Sequence, residues 1–426
     1  MAKRQADVVI CGAGIAGIST AYYLATRYGV RNVVLVDERP PLSLTSDKST
    51  ECYRNWWPGP GDAMVSLMNH SIDLLETLAR ATANAFHLNR RGYVYATANP
   101  AQIARLAQAA AETASLGAGA LRDHAAGAAR SSYRPAPPAG FEDQPSGADL
   151  ITDRALLREH FPYLAPDVVA VLHTRRCGWF SAQLLGMLML EQARALGVRL
   201  LSGHVEAVEV RSGQVSGVRV RDAQGETLIE TPVFVNAAGP LLDDVARQLG
   251  VALPVHSERH LKLAFSDHLG VVPRHAPFLV WADAQRLPWD DEERAWLEES
   301  EETCWMLEEF TPGVHARPDG PADSPILLML WDFHARPVEV VLPVPLDAEF
   351  PDLVLRGLST MLPGLRAYWG RAPKPSLDGG YYTKTQENRP LIGPLGVPGA
   401  YVIGALSGYG VMAAPGAGDL LARHIS

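Results

Sequence analysis

The sequence of 426 residues predicts an α/β protein of two to three domains. Two observations lead to this fold class. Near the start of the chain, a short apolar run, a glycine-rich turn and a helical pattern lead into a second apolar run, as in two parallel strands joined by a helix. Further along, alternating patterns at residues 92–96, 260–265, 326–331 and 338–342 predict a mixed or antiparallel sheet.

Composition and charge exclude several classes of protein. Apolar residues make up 47% of the chain and charged residues 20%, which excludes a disordered or fibrous chain. The net charge of −9 argues against nucleic acid or an anionic membrane as the main partner. Residues 290–302 carry much of this charge and have the features of a helix start. We expect Trp289, Trp296 and Leu297 to form the buried face of that helix.

The cysteines and two uncharged runs indicate in which compartment of the cell the protein is found. The cysteines are far apart and form no CxxC pair or Cys/His cluster, so we expect neither a disulfide scaffold nor a metal site. The uncharged runs 8–26 and 390–418 are interrupted by glycines, so we expect no membrane span and no secretory signal. A cytoplasmic location fits these observations. The four cysteines are Cys11, Cys52, Cys177 and Cys304.

The first motif is a glycine-rich turn between a strand and a helix. Residues 7–11 read as a buried strand, and Gly12-Ala13-Gly14-Ile15-Ala16-Gly17 follows at once. Gly12 allows the tight turn, Gly14 lets the backbone approach a pyrophosphate, and Gly17 permits close helix packing. The helix N-terminus offers free N–H groups to the phosphates. Asp37, at the end of the next strand and followed by Glu38, can bind a ribose. This context predicts a dinucleotide without a 2′-phosphate.

Two more motifs lie in the middle and near the end of the chain. An apolar strand runs into the small-residue turn Asn236-Ala237-Ala238-Gly239-Pro240. Residues 380–394 lead into a predicted strand at 400–404, and Ser407-Gly408-Tyr409-Gly410-Val411-Met412 then opens a last helix. Together with the first motif, these segments resemble the D-amino acid oxidase/sarcosine oxidase superfamily of FAD enzymes.

The resemblance implies a Rossmann-like FAD-binding domain assembled from residues 1–88, 166–241 and 380–426. The substrate domain, an α+β unit, would comprise residues 89–165 and 242–379. The resemblance and the motifs also imply which residues bind FAD. These are Gly12, Gly14, Ile15, Ala16, Gly17, Asp37, Glu38, Lys48, Ser49, Thr50, Val205, Ala237, Ala238, Gly239, Ser407, Gly408, Tyr409, Gly410, Val411 and Met412.

Departures from the superfamily pattern predict that FAD is bound non-covalently. The cysteine that links to flavin in monomeric sarcosine oxidase falls at Gly380. Residues 46–50 lack the histidine that carries the link in dimethylglycine-oxidising relatives. A lysine that holds the substrate carboxylate in sarcosine oxidases falls at Met412, which weakens the case for a simple small amino acid as substrate.

Five residues are candidates for the substrate site by the same resemblance. Arg54 falls where relatives hold a carboxylate, which a guanidinium grips with two parallel hydrogen bonds. Tyr382 falls at an active-site tyrosine. His315 and Arg317 match a strand and loop near the flavin, and Lys262 is a candidate for approaching the flavin N5 through water. For Arg54 a structural salt bridge is the alternative, and for His315 a structural role.

Tryptophans and an unusual segment complete the candidates. Trp56 and Trp57 follow Arg54, and Trp331 ends a predicted strand. An aromatic-walled pocket for a bulky or cationic amine is one interpretation, and ordinary core packing is the other.

Residues 114–147 are rich in Ala, Gly, Pro and Ser. They predict a long, mobile insertion, either a surface loop or a lid.

The leading hypothesis is an FAD-dependent oxidase or dehydrogenase that oxidises a C–N bond of a small-molecule amine, with O2 or another electron acceptor. Two alternatives stay open. One is oxidation of a 2-hydroxy acid or similar C–O substrate, and the other is a flavin-bearing subunit of a larger complex. An aromatic hydroxylase is disfavoured because no Gly-Asp motif follows the middle strand. The sequence does not predict the oligomeric state.

Overall fold

The computed structural model describes residues 2–126 and 133–426. The α-helices of these residues are, in chain order, α1 (Ile15–Thr26), α2 (Ala63–Ala81), α3 (Pro100–Thr113), α4 (Arg154–His160), α5 (Ala182–Ala195), α6 (Leu242–Arg247), α7 (Asp291–Glu298), α8 (Phe350–Met361) and α9 (Gly410–Ile425). The strands are β1 (Ala2–Gln5), β2 (Val8–Cys11), β3 (Val33–Asp37), β4 (Cys52–Arg54), β5 (Tyr93–Thr97), β6 (Leu121–His124), β7 (Ala148–Ile151), β8 (Ala170–Thr174), β9 (Cys177–Trp179), β10 (Arg199–Ser202), β11 (His204–Arg211), β12 (Gln214–Asp222), β13 (Gly225–Glu230), β14 (Phe234–Asn236), β15 (Val255–Ser266), β16 (Phe278–Trp281), β17 (His315–Pro318), β18 (Ile326–Leu330), β19 (Pro337–Val338), β20 (Ser376–Thr385), β21 (Leu391–Pro394) and β22 (Ala400–Gly404).

A six-stranded sheet holds the first and last strands of the sequence motifs side by side. Its order is β10-β3-β2-β14-β22-β21, and every neighbouring pair is parallel except β21 with β22. β2 and β3 are continuous apolar runs because both of their faces are covered. Helices α1, α2, α5 and α9 pack on one face, and the four-stranded sheet β1-β13-β12-β11 packs on the other.

Small residues bring α1 and α9 close together behind this sheet. The Ser19 hydroxyl donates to the Ala414 carbonyl oxygen at 2.7 Å. A Cβ added at Gly418 would lie 2.6 Å from the Ser19 hydroxyl oxygen, so the helices could not approach this closely with a larger residue there. This contact ties the first helix of the chain to its last.

A ten-stranded sheet forms the second large unit, in the order β19-β15-β18-β17-β16-β5-β8-β7-β6, with β20 also paired to β15. β15 is the longest strand. On one side it pairs with β20 over residues 255–264, and on the other with β18 over residues 262–266 and with β19 over residues 257–258. A separate apolar core, including side chains of α8, fills this unit. The short pair β4–β9 completes the described sheets.

The fold class predicted from the sequence is confirmed, with two corrections in detail. The acidic helix α7 begins with a capping box between Asp290 and Glu293, and Leu297 is buried as expected. Trp296, however, is 62% exposed, so its predicted burial is wrong. The strand predicted at residues 338–342 is reduced to β19, because Pro337–Val338 alone pair with β15.

The domain boundaries stay a prediction, and β8 bears on them. β8 lies in the segment assigned to the FAD domain, yet it pairs with β5 and β7 in the ten-stranded sheet. We therefore propose that the second FAD-domain segment begins after Thr174 rather than at residue 166.

The predicted insertion at 114–147 contains regular structure within its described part. A helical turn, Ala114–Ala118, continues α3, and β6 pairs in parallel with β7. Residues 127–132 lie outside the described residues, so the predicted mobility stays untested. In the described parts of the chain, no helix combines the length and the apolar composition that a bilayer crossing requires.

Candidate active site

The glycine-rich turn is packed so tightly that its first and last glycines admit no side chain. Gly12 has φ +109°, and a Cβ there would lie 2.3 Å from the Ala237 carbonyl oxygen. A Cβ at Gly17 would lie 2.0 Å from the Gly12 carbonyl oxygen. The turn at the end of β2 is therefore held against the turn at the end of β14, which brings the first and middle motifs together.

Two polar side chains fix this turn from outside. One Asp37 carboxylate oxygen accepts the Ala13 N–H at 2.7 Å, and the other accepts the Arg39 N–H at 2.9 Å. The Ser46 hydroxyl oxygen accepts the Ile15 N–H at 3.0 Å in the first turn of α1. Ser46 lies in the predicted segment 46–50, but the sequence reasoning gave this hydroxyl no role.

Two cavities meet at Gly14. The first, which we call the Asp37 cavity, has about 1040 Å³ and reaches from the end of β3 to β11. The second, the Ser407 cavity, has about 620 Å³ and lies between the glycine turn, β20 and the start of α9. They share Gly14, Ser46, Ala237 and Gly239, so together they form one bent cavity along the carboxyl ends of the parallel strands.

Most residues that the sequence assigned to a cofactor line this bent cavity. The carbonyl of Val205, one of the residues predicted to bind FAD, accepts a 3.3 Å hydrogen bond from the Gln248 side-chain amide. The predicted residues lining the Asp37 cavity are Gly12, Gly14, Asp37, Glu38, Val205, Ala237, Ala238 and Gly239. Those lining the Ser407 cavity are Gly14, Ile15, Ala16, Ser49, Ala237, Gly239, Ser407, Gly408, Gly410 and Val411.

A family model described as "FAD dependent oxidoreductase" (DAO) matches residues 7–424. The chain belongs to this FAD-dependent oxidoreductase family. FAD is its cofactor, and the bent cavity fits it: Gly14 leaves room for a backbone approach where the two cavities meet, and a Cβ there would come within 3.3 Å of the Ser46 hydroxyl. The Asp37 cavity would hold the adenosine half and the Ser407 cavity the flavin half of FAD.

Solved structures show the same fold at low sequence identity. L-proline dehydrogenase from P. horikoshii matches with a TM-score of 0.75 and 17% identity, over 100% of this chain and 94% of that one. Glycine oxidase from Bacillus cereus matches with a TM-score of 0.72 and 15% identity, over 99% of this chain and 95% of that one. L-amino acid deaminase from Proteus vulgaris, with its specific insertion deleted, matches with a TM-score of 0.69 and 18% identity, over 99% of this chain and 90% of that one. No curated protein sequence matches the chain.

Five residues predicted to bind FAD do not line the cavity of this oxidoreductase. Gly17 packs on Gly12, and the Thr50 carbonyl accepts from Arg317 at 2.6 Å. The Lys48 ammonium pairs with Asp378 at 2.6 Å, which ties the loop before β4 to β20. These three residues shape the cavity walls from behind.

Tyr409, in the turn before the last helix, and Met412, in its first turn, both pack into the core and do not line the cavity. The Tyr409 hydroxyl donates to the Asn388 carbonyl at 3.1 Å. The Met412 carbonyl accepts from the Ser71 hydroxyl in the interior.

Arg54 is a cation without a carboxylate partner among the described residues. It is partly exposed on β4, its guanidinium lies 4.6 Å from the centre of the Trp57 ring, and its Nε is buried with no hydrogen-bond partner. Burial opposes its charge, but the phenols of Tyr95 and Tyr93 outweigh this effect and leave the pKa of Arg54 above its usual value. The side chain therefore stays charged and has a donor left for an anionic ligand.

Arg317 is fully buried and its donors are occupied. Its Nε donates to the Thr50 carbonyl at 2.6 Å, and its other nitrogens pair with Asp319 at 2.6 Å and Glu51 at 3.3 Å. The structure thus separates the two predicted arginines. Arg54 has capacity for a ligand, whereas the donors of Arg317 hold the segment 50–51 and Asp319, and its predicted place in the substrate site stays a prediction.

His315 lies close enough to Asp332, Arg54 and His260 for their charges to act on its imidazole. Its Nδ1 is 2.8 Å from the Gly313 carbonyl oxygen, and its ring packs 4.9 Å from the Phe278 ring. Because a carbonyl can only accept, Nδ1 carries the proton and Nε2 is left with a lone pair. Burial lowers the pKa of His315, although Asp332 acts in the opposite direction.

Lys262 reaches the loop that follows the glycine turn. Its ammonium donates to the Asp47 carbonyl at 2.7 Å. That carbonyl belongs to the turn Thr45–Asp47, two residues of which, Thr45 and Ser46, line the Ser407 cavity. Lys262 is thus next to the cavity wall, and its predicted approach to flavin N5 stays a prediction.

Tyr382 lines the Ser407 cavity and belongs to a polar cluster that the sequence reasoning missed. Its ring stacks on His260 with centroids 3.8 Å apart and lies against Gly408, where a Cβ would come within 2.6 Å. His260 Nδ1 is 2.5 Å from Asp332, and its Nε2 is 3.3 Å from Glu258. Alternation in β15 places Glu258 and His260 on the face of Tyr382, but with only one predicted strand at 260–265 this pairing was not visible.

Charges within this cluster support one another. Burial opposes protonation of His260, but Asp332 and Glu258 outweigh it and raise the pKa of the imidazole. The His260 hydrogen bond lowers the pKa of Glu258 to about 2 against the effect of burial, and Lys384 adds to this. Both ring nitrogens of His260 thus face carboxylates, which favours the protonated form of the imidazole.

The predicted aromatic wall is divided between site and core. Trp57 packs edge-on to Tyr409 at 5.1 Å and lies under Arg54, whereas Trp56 packs on Tyr95. Trp331 is buried, and its indole N–H donates to the Thr311 carbonyl at 3.0 Å. The aromatic surface around Arg54 comes mainly from Trp57 and two tyrosines of β5.

Proposed function

We propose that this FAD-dependent oxidoreductase oxidises the C–N bond of an amine or amino-acid-like substrate to an imine. FAD supplies the hydride acceptor at its N5 atom. The observation that carries the proposal is Arg54, a charged guanidinium with an unpartnered buried Nε and no carboxylate partner among the described residues. A substrate carboxylate would complete this pairing and orient the carbon that is oxidised.

The surrounding residues support a neutral amine as the reacting form. His315 is kept neutral, and its Nε2 lone pair can accept a proton from a substrate ammonium. Tyr95 and Tyr93 border the guanidinium and leave an apolar, aromatic surface beside it. Such a surface accepts a bulky or aromatic side chain more readily than a charged one.

The names of structurally similar proteins point the same way. Proline dehydrogenase, glycine oxidase and L-amino acid deaminase each take an amino acid, by their names, and share the fold over nearly all of this chain. The likeness supports the class of substrate and leaves its side chain open.

The test is anaerobic bleaching of the bound flavin by a panel of amines and amino acids against a matched panel of 2-hydroxy acids. We expect amines to bleach the flavin, with a rate that rises with pH as the amine loses its proton. Bleaching only by hydroxy acids would replace the proposal with C–O oxidation, and bleaching by neither would favour a flavin-bearing subunit. Admitting air then shows whether O2 is the electron acceptor.

Arg54→Met tests the carboxylate contact. We expect kcat/KM for amino acids to fall by about 10–100-fold, since charge-assisted hydrogen bonds are worth roughly 1.5–3 kcal/mol. The same amines without a carboxylate should change far less. Arg105→Met, at an exposed arginine of α3, is the matched control. An equal loss for both substrate sets would show that Arg54 does not bind the carboxylate.

A further inference from the structure

The ten-stranded sheet has a gap beside its longest strand. On the side of β15 away from β20, β18 pairs with residues 262–266 and β19 with residues 257–258. Residues 259–261 lie between these pairings, and the connection from Trp331 to Arg336 passes outside them instead of continuing either strand. Six residues of the connection thus lie opposite three residues of β15, and the pairing of the sheet is interrupted there as it is at a β-bulge.

A cleft of about 890 Å³ lies at this gap, and we call it the His260 cleft. Its floor is formed by residues 259–261 and its rim by residues 331–336. Tyr381 and Phe350 add aromatic surface, and Arg259 is neutralised there by Asp347 at 2.6 Å. Charged and polar side chains make up about half of the lining, among them Asp332, His334, Arg336 and Glu339, so the cleft is suited to a small polar molecule.

The inner end of the cleft touches the wall of the FAD site. Tyr381 borders both the His260 cleft and the Ser407 cavity. His260, in the floor of the cleft, stacks on Tyr382, which lines the Ser407 cavity. The stacked rings of His260 and Tyr382 thus stand between the two spaces.

The polar side chains that hold the His260 and Tyr382 rings extend from the exposed rim of the cleft to its buried inner end. The Asp332 side chain is 42% exposed at the rim, whereas the His260 side chain to which it is bonded is 2% exposed. His260 is held by hydrogen bonds to two carboxylates and by stacking, all of which break on a side-chain rotation that leaves the backbone of β15 in place.

We propose that the His260 cleft is the passage by which substrate reaches the FAD site, and that the stacked rings of His260 and Tyr382 close its inner end. The inference deepens the proposed function, on which it rests for the kind of molecule that passes. Its walls combine aromatic rings such as Phe333 with charged side chains of both signs, which fits an amine that carries a carboxylate and an aromatic group.

The test narrows the passage without touching the catalytic machinery. Ala335 lies on the rim and Val338 lines the cleft from β19, so Ala335→Trp and Val338→Trp each add an indole there. Leu346→Trp is the matched control, because Leu346 is exposed nearby but does not line the cleft. Unchanged flavin absorbance and melting temperature would show that each holoprotein is intact.

Two reductants are then compared by anaerobic stopped-flow: N-benzylglycine, as a bulky amine, and dithionite, which needs no amine chemistry. We expect both narrowed variants to slow reduction by N-benzylglycine by about fivefold or more, and reduction by dithionite by a smaller factor, with the control unchanged. If N-benzylglycine does not reduce the parent, the proposed function loses support, and the dithionite rates still report on the passage. Rates equal to the parent with both reductants would overturn the inference.

Discussion

Arg54 and Arg317 carry the same side chain in two different settings. Arg317 is wholly buried and its partners Glu51 and Asp319 neutralise it, whereas Arg54 has aromatic neighbours and an unpartnered Nε. The Arg317–Glu51 pair joins residues 266 positions apart. Sequence reasoning could identify both arginines as site candidates, but it could not distinguish their roles, since a contact of that range leaves no local pattern.

Arg317→Met should destabilise the protein, because it leaves the buried Glu51 carboxylate without its cation. Burial already raises the pKa of Glu51, and Arg317 counteracts that effect. We expect a loss of about 3–5 kcal/mol in the free energy of unfolding, measured by urea denaturation of the holoprotein. Arg54→Met should cost much less, and a similar loss in both variants would contradict the roles assigned here.

The glycines of the first motif were predictable one by one, because each is required by its local geometry. Gly14→Ala should weaken FAD binding by about tenfold or more, since the methyl group would occupy the meeting point of the two cavities and press on Ser46 at 3.3 Å. Gly396→Ala is the control, since its added Cβ would meet nothing within 4 Å. Titration of the apoproteins with FAD measures both, and equal affinities would refute a tight approach at Gly14.

At the scale of elements, β15 and β20 decide what the site contains. Their antiparallel register places Glu258 opposite Tyr382 and His260 opposite Gly380. The sequence predicted only residues 260–265 of β15, because Glu258 and His256 interrupt the alternation of apolar residues that signals a strand. Polar residues on a sheet face that covers a cavity look like loop residues when only hydrophobicity is considered.

The carboxylate of Glu258 makes the β15–β20 pair sensitive to acid. Its pKa in the folded protein, about 2, lies below the ordinary value of 4.5, so its contribution to stability is complete above pH 4.5 and is lost as the pH falls toward 2. His260 behaves in the opposite sense: its contribution is present below its ordinary pKa of 6.5 and is lost as the pH rises through its raised pKa.

Glu258→Gln should therefore flatten the acid side of the stability profile. We expect the melting temperature of the variant to fall less than that of the parent between pH 4.5 and 2, since less charge is lost on acidification. Thermal melting at closely spaced pH values measures this. Parallel curves for variant and parent would show that the acid sensitivity arises elsewhere.

Helix α7 shows how far the sequence pattern of a single element can predict its structure. Its start was predictable from the acids and proline, and its capping box is present. Its buried face was only partly predictable: Leu297 is buried as expected and Trp289 packs with Arg356 at 4.1 Å, but Trp296 points outward. Whether an apolar residue of a helix is buried depends on what lies opposite it, and Arg356, opposite Trp289, is distant in the chain.

At the scale of the whole molecule, three distant parts of the chain form the cavity that would hold FAD. Two turns are locked against each other at Gly12 and Ala237, and the loop Ser407–Val411 closes the flavin end. This assembly followed from the resemblance of three motifs. The His260 cleft did not, because it depends on a gap between strand pairings that no motif marks.

FAD should stabilise the whole molecule and should be removable. With Gly380 at the position of the linking cysteine, we expect acid precipitation to leave the yellow colour in the supernatant. The apoprotein should melt at a lower temperature than the holoprotein, and added FAD at about 100 times its Kd should restore about 2.7 kcal/mol of stability. Colour retained by the pellet, or a melting temperature independent of FAD, would contradict non-covalent binding across three segments.

The contact between α1 and α9 has a consequence for synthesis of the protein. The ribosome makes the glycine turn early, but its wall at Ser407–Val411 and the helix that packs on Ser19 only much later. A nascent chain can therefore fold β2, α1 and β3 yet lacks the flavin end of the cavity. We therefore expect FAD to bind late in biogenesis, after the two distant parts of the chain have met.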